Sequence, residues 1–222
     1  MVYINELFDL SKSIAGGYLS QYTHPWEVLP HIGEHILQLA KTLPTELFEQ
    51  RGENIWVAKS AKIYPNTTIL GPCIIDEAAE IRPGAFIRGN ALVGKHAVVG
   101  NSTELKNVIL FDYVQVPHYN YVGDSVLGYR AHMGAGAITS NVKSDKSLVI
   151  IRNGSGASAA TGLKKCGAML GDYVEVGCNS VLNHGTVIGR NSQVYPLSSV
   201  RGVIPEGHIY KHAHDIVQKR SD

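Results

Sequence analysis

Residues 57–105 read VAKSAKIYPNTTILGPCIIDEAAEIRPGAFIRGNALVGKHAVVGNSTEL, with an aliphatic residue at every sixth position. A period of six fits neither an α-helix nor a β-strand. The aliphatic positions are Val57, Ile63, Ile69, Ile75, Ile81, Ile87, Val93, Val99 and Leu105. Four residues after each of the first eight stands a small or compact residue, so the unit is a hexapeptide repeat. Such a period predicts a coiled repeat array and not a layered domain.

Three hexapeptides per triangular coil would stack residues that are 18 apart in the chain. Three aliphatic columns would then fill the interior, with coils ~4.8 Å apart and a short-stranded parallel sheet on each face. The columns run Val57–Ile75–Val93, Ile63–Ile81–Val99 and Ile69–Ile87–Leu105. The same spacing returns at Leu170, Val176, Leu182, Ile188, Val194 and Val200. We therefore expect an all-β parallel β-helix over residues 53–205.

The segments on either side of the array do not follow the repeat. Residues 1–52 predict an N-terminal helical cap, because apolar residues recur at helical spacing from Trp26 to Leu43. Pro25 suits the first turn of this helix and Pro44 ends the pattern. We expect the helix to cover the first edge of the array, where strand backbone would otherwise lie unpaired. Residues 206–222 are expected to form a tail, as a short helix or an arm.

The hexapeptide spacing fails in two places, and breaks in a strict repeat are where we expect function. Val122 and Leu127 are only five residues apart, and one step between Phe111 and Val122 is lengthened. The second break, at about 142–168, is too long for a tight corner and contains a Gly/Ser-rich stretch at 153–158. We predict an extruded loop there.

Composition and charge exclude several classes of partner. The 20 basic and 19 acidic residues give a net charge of +1, which provides no electrostatic footprint for nucleic acid or a membrane surface. The three cysteines include no C-x-x-C pair, so neither a disulfide framework nor a metal site is predicted. A basic leader and an apolar run of ~20 residues are both missing, which indicates a cytoplasmic protein.

Four segments, in this order, resemble the acetyltransferase domain of the bacterial bifunctional glucosamine-1-phosphate acetyltransferase/uridylyltransferase, a hexapeptide-repeat acyltransferase. The segments are Ile81–Ala85, Glu104–Asn107, Pro117–Asp124 and Met133–Asn141. The resemblance covers roughly residues 55–205. It implies a left-handed β-helix, assembly as a homotrimer, and N-acetyl transfer from acetyl-CoA to the amine of an amino-sugar 1-phosphate.

The resemblance also implies residue roles on the acceptor side. His118 matches the general base, and imidazole suits that role because it titrates near working pH. Arg82 and Lys106 match positions that hold the sugar phosphate, where cationic side chains suit phosphate oxygens. Tyr121 matches a residue that contacts the sugar. His132 stands where that family has a sugar-contacting asparagine, so glucosamine-type and galactosamine-type acceptors both stay open.

On the donor side, the resemblance implies contacts to acetyl-CoA. Ala135 and Asn141 match positions that touch acetyl-CoA through backbone and amide groups, and Lys146 or its neighbours is expected to meet its phosphates. Cys178 and Pro196 stand at two further coenzyme positions that differ from the family pattern. The segment Thr161–Ala168 and the coils after it resemble the C-terminal domain of archaeal sugar-1-phosphate nucleotidylyltransferases that carry amino-sugar acetyltransferase activity.

Two other classes compete with the acetyltransferase interpretation. In the first alternative, the array serves as a non-catalytic or regulatory partner of a separate sugar nucleotidylyltransferase, which the asparagine-to-histidine change at His132 allows. A γ-type carbonic anhydrase would need clustered zinc-binding histidines. The His-x4-His pair of that family is missing from the coils, and His208, His212 and His214 cluster only in the tail. No Gly-rich nucleotide-binding domain precedes the coils, so we expect no uridylyl transfer.

Overall fold

The computed structural model describes residues 2–153, 156–213 and 215–220 of the 222-residue chain. Within these ranges the helices are α1 (Ile4–Leu7), α2 (Gly16–Leu19) and α3 (Ile32–Leu39), with 3-10 segments at Leu10–Lys12, Pro25–His31 and Ala40–Thr42. The strands are β1 (Phe48–Gly52), β2 (Ile55–Ala58), β3 (Lys62–Ile63), β4 (Thr68–Ile69), β5 (Cys73–Ile75), β6 (Glu80–Ile81), β7 (Phe86–Ile87), β8 (Ala91–Val93), β9 (Val98–Asn101), β10 (Glu104–Leu110), β11 (Gln115–His118), β12 (Tyr121–Leu127), β13 (His132–Met133), β14 (Ile138–Thr139), β15 (Ile150–Arg152), β16 (Ser158–Ala160), β17 (Ala168–Leu170), β18 (Glu175–Val176), β19 (Val181–Leu182), β20 (Thr186–Ile188), β21 (Gln193–Val194), β22 (Ser199–Val200), β23 (Val203–Ile204), β24 (His208–His212) and β25 (Asp215–Gln218). None of the helices in the described ranges has the length and apolar character needed to span a bilayer.

The array is a left-handed parallel β-helix with three faces, as expected. Face A holds β2, β5, β8, the ends of β10 and β12, β17, β20 and β23. Face B holds β3, β6, β9, β11, β13, β18, β21 and β24. Face C holds β4, β7, the starts of β10 and β12, β14, β19 and β22. The chain runs from A to B to C in each coil.

The strand registers confirm the three aliphatic columns that the spacing predicts. Val57 pairs with Ile75 and Ile75 with Val93 on face A. The columns that start at Ile63 on face B and at Ile69 on face C follow the same step of 18 residues. From Val57 onward, the face A column is fully buried, because its side chains point into the triangular interior. The inward aliphatic side chains therefore make the core of each coil.

The first break in the repeat is a pair of successive coils that are each one residue shorter, since Val93 already pairs with Leu110, a step of 17 residues. The lengthened step expected between Phe111 and Val122 is wrong, because the inward positions Leu110, Val116 and Val122 follow at six-residue intervals. Leu105 pairs with Val122 and Leu110 with Leu127, a step of 17 residues. The missing residue of each coil lies between faces C and A, where β10 and β12 run continuously through the corner. Asn107 and Asp124, which lie in the middle of these strands, take left-handed backbone conformations with φ of 57° and 49°. The break therefore stacks two polar residues at one corner.

The N-terminal segment is placed differently from our prediction. Helix α3 packs on β5, β8 and β10, and the 3-10 segment Pro25–His31 packs on β12. The segment therefore covers face A along several coils and does not cap the first coil, which is paired instead by the antiparallel strand β1. The single helix expected from Trp26 to Leu43 is broken, because α-helical geometry extends only over Ile32–Leu39.

The second break is an excursion that folds back on the array. It leaves and returns through a bridge between Val142 and Lys165 and contains the hairpin of β15 and β16. Val149 and Ile151 of this loop are buried, so it lies against the coils. Residues 154 and 155 of the Gly/Ser-rich stretch lie outside the described residues. The tail forms the antiparallel hairpin of β24 and β25 and not the expected helix or arm.

Candidate functional site

The corner between faces C and A, which we call the Asp124 corner, gathers polar side chains around one carboxylate. The Asp124 residue is 4% exposed. It accepts hydrogen bonds from Lys106 Nζ at 3.1 Å, from Asn107 Nδ2 at 2.9 Å and from Asn141 Nδ2. Burying a carboxylate is costly unless it is paired and hydrogen-bonded, and here three donors from the two neighbouring coils satisfy it. Asp124 therefore fixes the positions of Lys106 and Asn141.

Tyr121 completes this corner because a glycine leaves room for its ring. A Cβ atom on Gly123 would lie 2.5 Å from Tyr121 Oη and 3.0 Å from Asn141 Nδ2. Asn141 Nδ2 donates to the phenol oxygen at 3.3 Å. Burial, and then the negative charges of Asp124 and Glu104, raise the pKa of Tyr121, so its hydroxyl keeps its proton. The predicted acceptor residues Lys106 and Tyr121 thus lie together, and Asn141, which the resemblance assigns to acetyl-CoA, lies with them.

The corner between faces B and C carries His118, and we call it the His118 corner. His118 ends β11 and has an exposed side chain. Four backbone hydrogen bonds connect successive coils at this corner. The carbonyl oxygens of Asn101, His118, Ala135 and Cys178 accept from the N–H groups of Tyr119, Gly136, Asn179 and Leu197, respectively. Pro196 continues the column, since it precedes Leu197. The predicted residues His118, Ala135, Cys178 and Pro196 therefore form one line along the array.

Buried polar side chains hold the His118 corner from inside. Asn120 accepts a hydrogen bond from His118 N at 3.1 Å and donates to Gly134 O and Ala137 O, both at 2.9 Å. Thr103 Oγ1 donates to Val116 O at 2.9 Å. These bonds satisfy carbonyl groups that turn away from the strand ladders, which is the usual requirement for buried backbone. The backbone that presents His118 is therefore fixed, while its imidazole faces solvent.

The two predicted phosphate-binding residues lie at different corners. Arg82 follows β6 on face B, and its Nε donates to Glu80 at 3.2 Å, which lowers the pKa of that carboxyl. Arg88 instead occupies the position directly beside Lys106, one coil earlier, because Ile87 pairs with Leu105. Sequence reasoning missed Arg88, although its spacing of 18 from Lys106 was the available signal.

Both corner cations are balanced by carboxylates. Arg88 Nη1 lies 2.6 Å from Glu104 Oε1, and Lys106 Nζ lies 3.1 Å from Asp124 Oδ1. A phosphate that binds here must therefore compete with these carboxylates or share the donors with them. Arginine suits such sharing because its guanidinium presents five N–H donors.

Two predicted residues lie apart from both corners. His132 is on face B, where its Nδ1 lies 2.7 Å from Glu175 Oε2, beside Tyr113 and Tyr173. Lys146 is exposed on the excursion, in a turn closed by its N–H and Lys143 O. His208 and His212 lie on β24, while His214 lies outside the described residues. In the part of the chain that the structure describes, no three His, Cys, Asp or Glu side chains are grouped to hold a metal ion.

The His118 and Asp124 corners border the same face. His118 and Tyr121 are separated by three residues, and an extended chain spans at most ~3.6 Å per residue, so their Cα atoms are at most about 11 Å apart. An exposed imidazole at one edge of face C therefore lies within reach of a ligand held by the polar side chains at the other edge. The arrangement places an exposed imidazole, which is able to accept a proton, beside cationic and hydrogen-bonding side chains.

Residues 69–204 match the family described as the GMPPB C-terminal domain. The "Bifunctional protein GlmU" of Methanococcus maripaludis is 32% identical over 224 residues, which cover 92% of this chain and 50% of that protein. The "Bifunctional sugar-1-phosphate nucleotidylyltransferase/acetyltransferase" of Sulfurisphaera tokodaii is 30% identical over 67% of this chain and 41% of its own. The chain thus spans about half the length of the curated relatives it matches. Among solved structures, a hexapeptide transferase family protein from Anaplasma phagocytophilum has a TM-score of 0.42 and 17% identity, covering 75% of this chain and 79% of that one.

Proposed function

This chain belongs to the family of the GMPPB C-terminal domain, and we propose that it transfers the acetyl group of acetyl-CoA to the amine of an amino-sugar 1-phosphate. The observation that carries the proposal is the pair of corners on face C. One presents an exposed imidazole in line with the predicted coenzyme positions, and the other groups Lys106, Tyr121 and Asn141 around Asp124. The name of the Sulfurisphaera tokodaii relative, which includes acetyltransferase activity, supports the same chemistry.

The proposed reaction is direct transfer in a ternary complex. The amine nitrogen attacks the thioester carbonyl, the N–C bond forms, and the C–S bond then breaks to release CoA. The amine must lose a proton as it attacks, and the imidazole of His118 accepts that proton. The proton that leaves the nitrogen is matched by the one that the departing CoA thiolate takes up.

Backbone groups beside His118 are assigned to the tetrahedral intermediate. The N–H groups of Gly136 and Ala137 already donate to His118 O and Gly134 O. We therefore assign the Ala135 N–H to the developing oxyanion, since a preorganised donor stabilises charge that appears only during the reaction. Ala135, Cys178 and Pro196 would line the coenzyme along the His118 corner.

The acceptor is proposed to lie across face C toward the Asp124 corner. Lys106 and Arg88 would bind its phosphate, and the Tyr121 hydroxyl would orient the sugar ring. Arg82 and His132 lie on the face B side, so any contact they make would be with another part of the ligand or with a neighbouring subunit. We propose a homotrimer, in which face C of one subunit meets its neighbour and completes the coenzyme site.

The test is release of free CoA from acetyl-CoA in the presence of a panel of amino-sugar 1-phosphates. We expect turnover with a glucosamine-type or galactosamine-type acceptor, and we expect His118→Ala to lower kcat by ~10²-fold or more. The fold should persist, because the imidazole is exposed. His212→Ala, in the terminal hairpin, is the matched control and should keep full turnover. Absence of CoA binding and of turnover with every acceptor would overturn the proposal.

A further inference from the structure

A small cavity separates the excursion from the coils that follow it. It measures about 90 Å³ and is lined by Lys143, Ile150, Arg152, His184, Gly185, Arg201 and Gly202. The strand β15 forms one wall because two glycines let it approach the array closely. A Cβ atom on Gly185 would lie 2.8 Å from Val149 Cγ1, and one on Gly202 would lie 2.7 Å from Arg152 O. Both glycines have positive φ, at 71° and 83°, so other residues would be strained there as well.

The lining of the cavity carries an excess of positive charge. Arg201 Nη2 donates to Asn183 Oδ1 at 3.2 Å, and Arg201 Nη1 lies 3.3 Å from His184 Nε2, so its partners are neutral groups. Throughout the described ranges, neither Arg152 nor Arg201 has a carboxylate within 4.0 Å. Only Lys143 is balanced, by Asp145 at 3.3 Å. Arg152 and Arg201 therefore both line this small space, and no carboxylate of the described residues pairs with either of them.

The histidine at the cavity responds to this charge. Burial, and then the positive charges of Arg201 and Lys143, lower the pKa of His184, while Asp145 acts in the opposite direction. A neutral imidazole whose Nε2 accepts a hydrogen bond from Arg201 agrees with this direction. The net field inside the cavity is thus positive, which favours an anion.

We propose that this cavity binds a phosphate group between Arg152 and Arg201. Guanidinium groups match phosphate oxygens with paired N–H donors and stay charged at every working pH. Pockets that enclose a whole drug-sized ligand measure roughly 300–1,000 Å³, so a cavity of about 90 Å³ fits one phosphate group and not an entire nucleotide.

This phosphate site is separate from the acceptor site at the Asp124 corner. Arg201 lies in the same column as Lys106, but four coils further along the array, through Gly123, Ser140 and Asn183. Coils that are ~4.8 Å apart place the two sites about 19 Å from each other along the axis. Two sources of such a phosphate, the coenzyme and an independent small molecule, are distinguished by comparing CoA with 3′-dephospho-CoA.

The experiment titrates the full chain with inorganic phosphate at low ionic strength and measures binding by calorimetry. We expect saturable binding that Arg201→Gln and Arg152→Gln each weaken at least tenfold. Arg51→Gln is the matched control, because Arg51 is an exposed arginine on β1, already paired with Glu49, and should bind phosphate as the parent does. Gly202→Ala keeps every charge but displaces Arg152 O, so it should also weaken binding.

A second titration compares CoA with 3′-dephospho-CoA. If the cavity takes the 3′-phosphate of the coenzyme, removal of that phosphate weakens binding to the parent chain but not to Arg201→Gln. If the site serves an independent molecule, CoA binds equally to both chains and inorganic phosphate still saturates. Both results support a phosphate site. The proposal is overturned if phosphate does not saturate, or if Arg51→Gln weakens it as much as Arg201→Gln does. Because these experiments measure binding and not turnover, they test the phosphate site independently of acetyl transfer.

Discussion

The His118 and Asp124 corners border one face of the same array, yet they are built in opposite ways. At the Asp124 corner, side chains from successive coils bond to each other, with Lys106, Asn107 and Asn141 all donating to one buried carboxylate. At the His118 corner, the side chains stack in a column without bonding to each other, and only the backbone beneath them is tied down by Asn120.

This difference separates preorganised recognition from available chemistry. A group that must bind the same ligand atoms in every turnover benefits from fixed partners, because little entropy remains to be lost on binding. A general base needs an accessible nitrogen atom, and a competing intramolecular partner would occupy it. Under the proposed function, one edge of face C would therefore supply specificity and the other proton transfer.

Removing Asp124 should have the largest effect on this comparison. Asp124→Ala leaves Lys106 and Asn141 without their shared acceptor at a corner whose carboxylate side chain is 5% exposed. Loss of one partner of a buried pair lowers the free energy of unfolding by about 3–5 kcal/mol, measured by urea denaturation. Asp145→Ala is the matched control, because its carboxylate side chain is 64% exposed beside Lys143, and only a small change in the free energy of unfolding is expected. Equal losses in the two variants would show that the Asp124 corner is no more than a surface ion pair.

Replacing each of the two candidate arginines in turn should have an effect of intermediate size and sharpen the comparison. Arg88 shares the column of Lys106, whereas Arg82 is held by Glu80 on face B. We expect Arg88→Gln to raise the KM for the amino-sugar 1-phosphate about tenfold with little change in kcat, as a lost phosphate contact does. Arg82→Gln should change the KM for the amino-sugar 1-phosphate far less, if the site is formed by the residues of one chain. The reverse order would return the phosphate to the residue that the motif resemblance indicates.

The fold was predictable because the interior columns depend on spacing alone. Every sixth residue must point inward for the coil to close, and Val57, Ile75 and Val93 pair in the structure as the step of 18 requires. Arg88 was obtainable from the same step, but a motif is matched by residue type and order, which favoured Arg82. Once the array is recognised, its spacing indicates which side chains lie side by side more directly than a motif match does.

The position of the N-terminal helix could have been predicted from the sequence of the coils, but not from the sequence of the helix itself. Strands β5 and β8 are buried along their whole length, so Ile74 and Leu92, which point outward, are also covered. Strands buried on both sides show continuous apolar runs. Such runs recur only on face A and indicate that another element covers it. By contrast, the docking of the excursion on Gly185 and Gly202 depends on backbone angles that no periodicity reports.

The smallest expected effect is the shift in the titration of His184, which lies further along the array at the same corner as Asp124. His184 continues the column of Asp124 and Asn141, and burial together with Arg201 and Lys143 lowers the pKa of its imidazole from the ordinary 6.5. In a histidine-selective NMR titration, with the signal identified by His184→Gln, this ring should titrate below pH 6.5. Arg201→Gln should move the midpoint part of the way back, because one positive charge is removed while burial stays.

The same titration fixes the sign of a stability effect. Because the folded pKa of His184 is depressed, the unfolded chain binds more protons below pH 6.5, and stability falls as the pH drops from 6.5 toward the folded value. His35, whose pKa is also lowered by burial, adds a slope of the same sign. Thermal unfolding between pH 7.5 and 5 should therefore show a smaller decline for His184→Gln than for the parent chain. A His184 midpoint at or above pH 6.5 would show that the positive charge of the Asp124 corner does not extend to the later coils. The difference between the two corners would then be confined to the coils around Asp124.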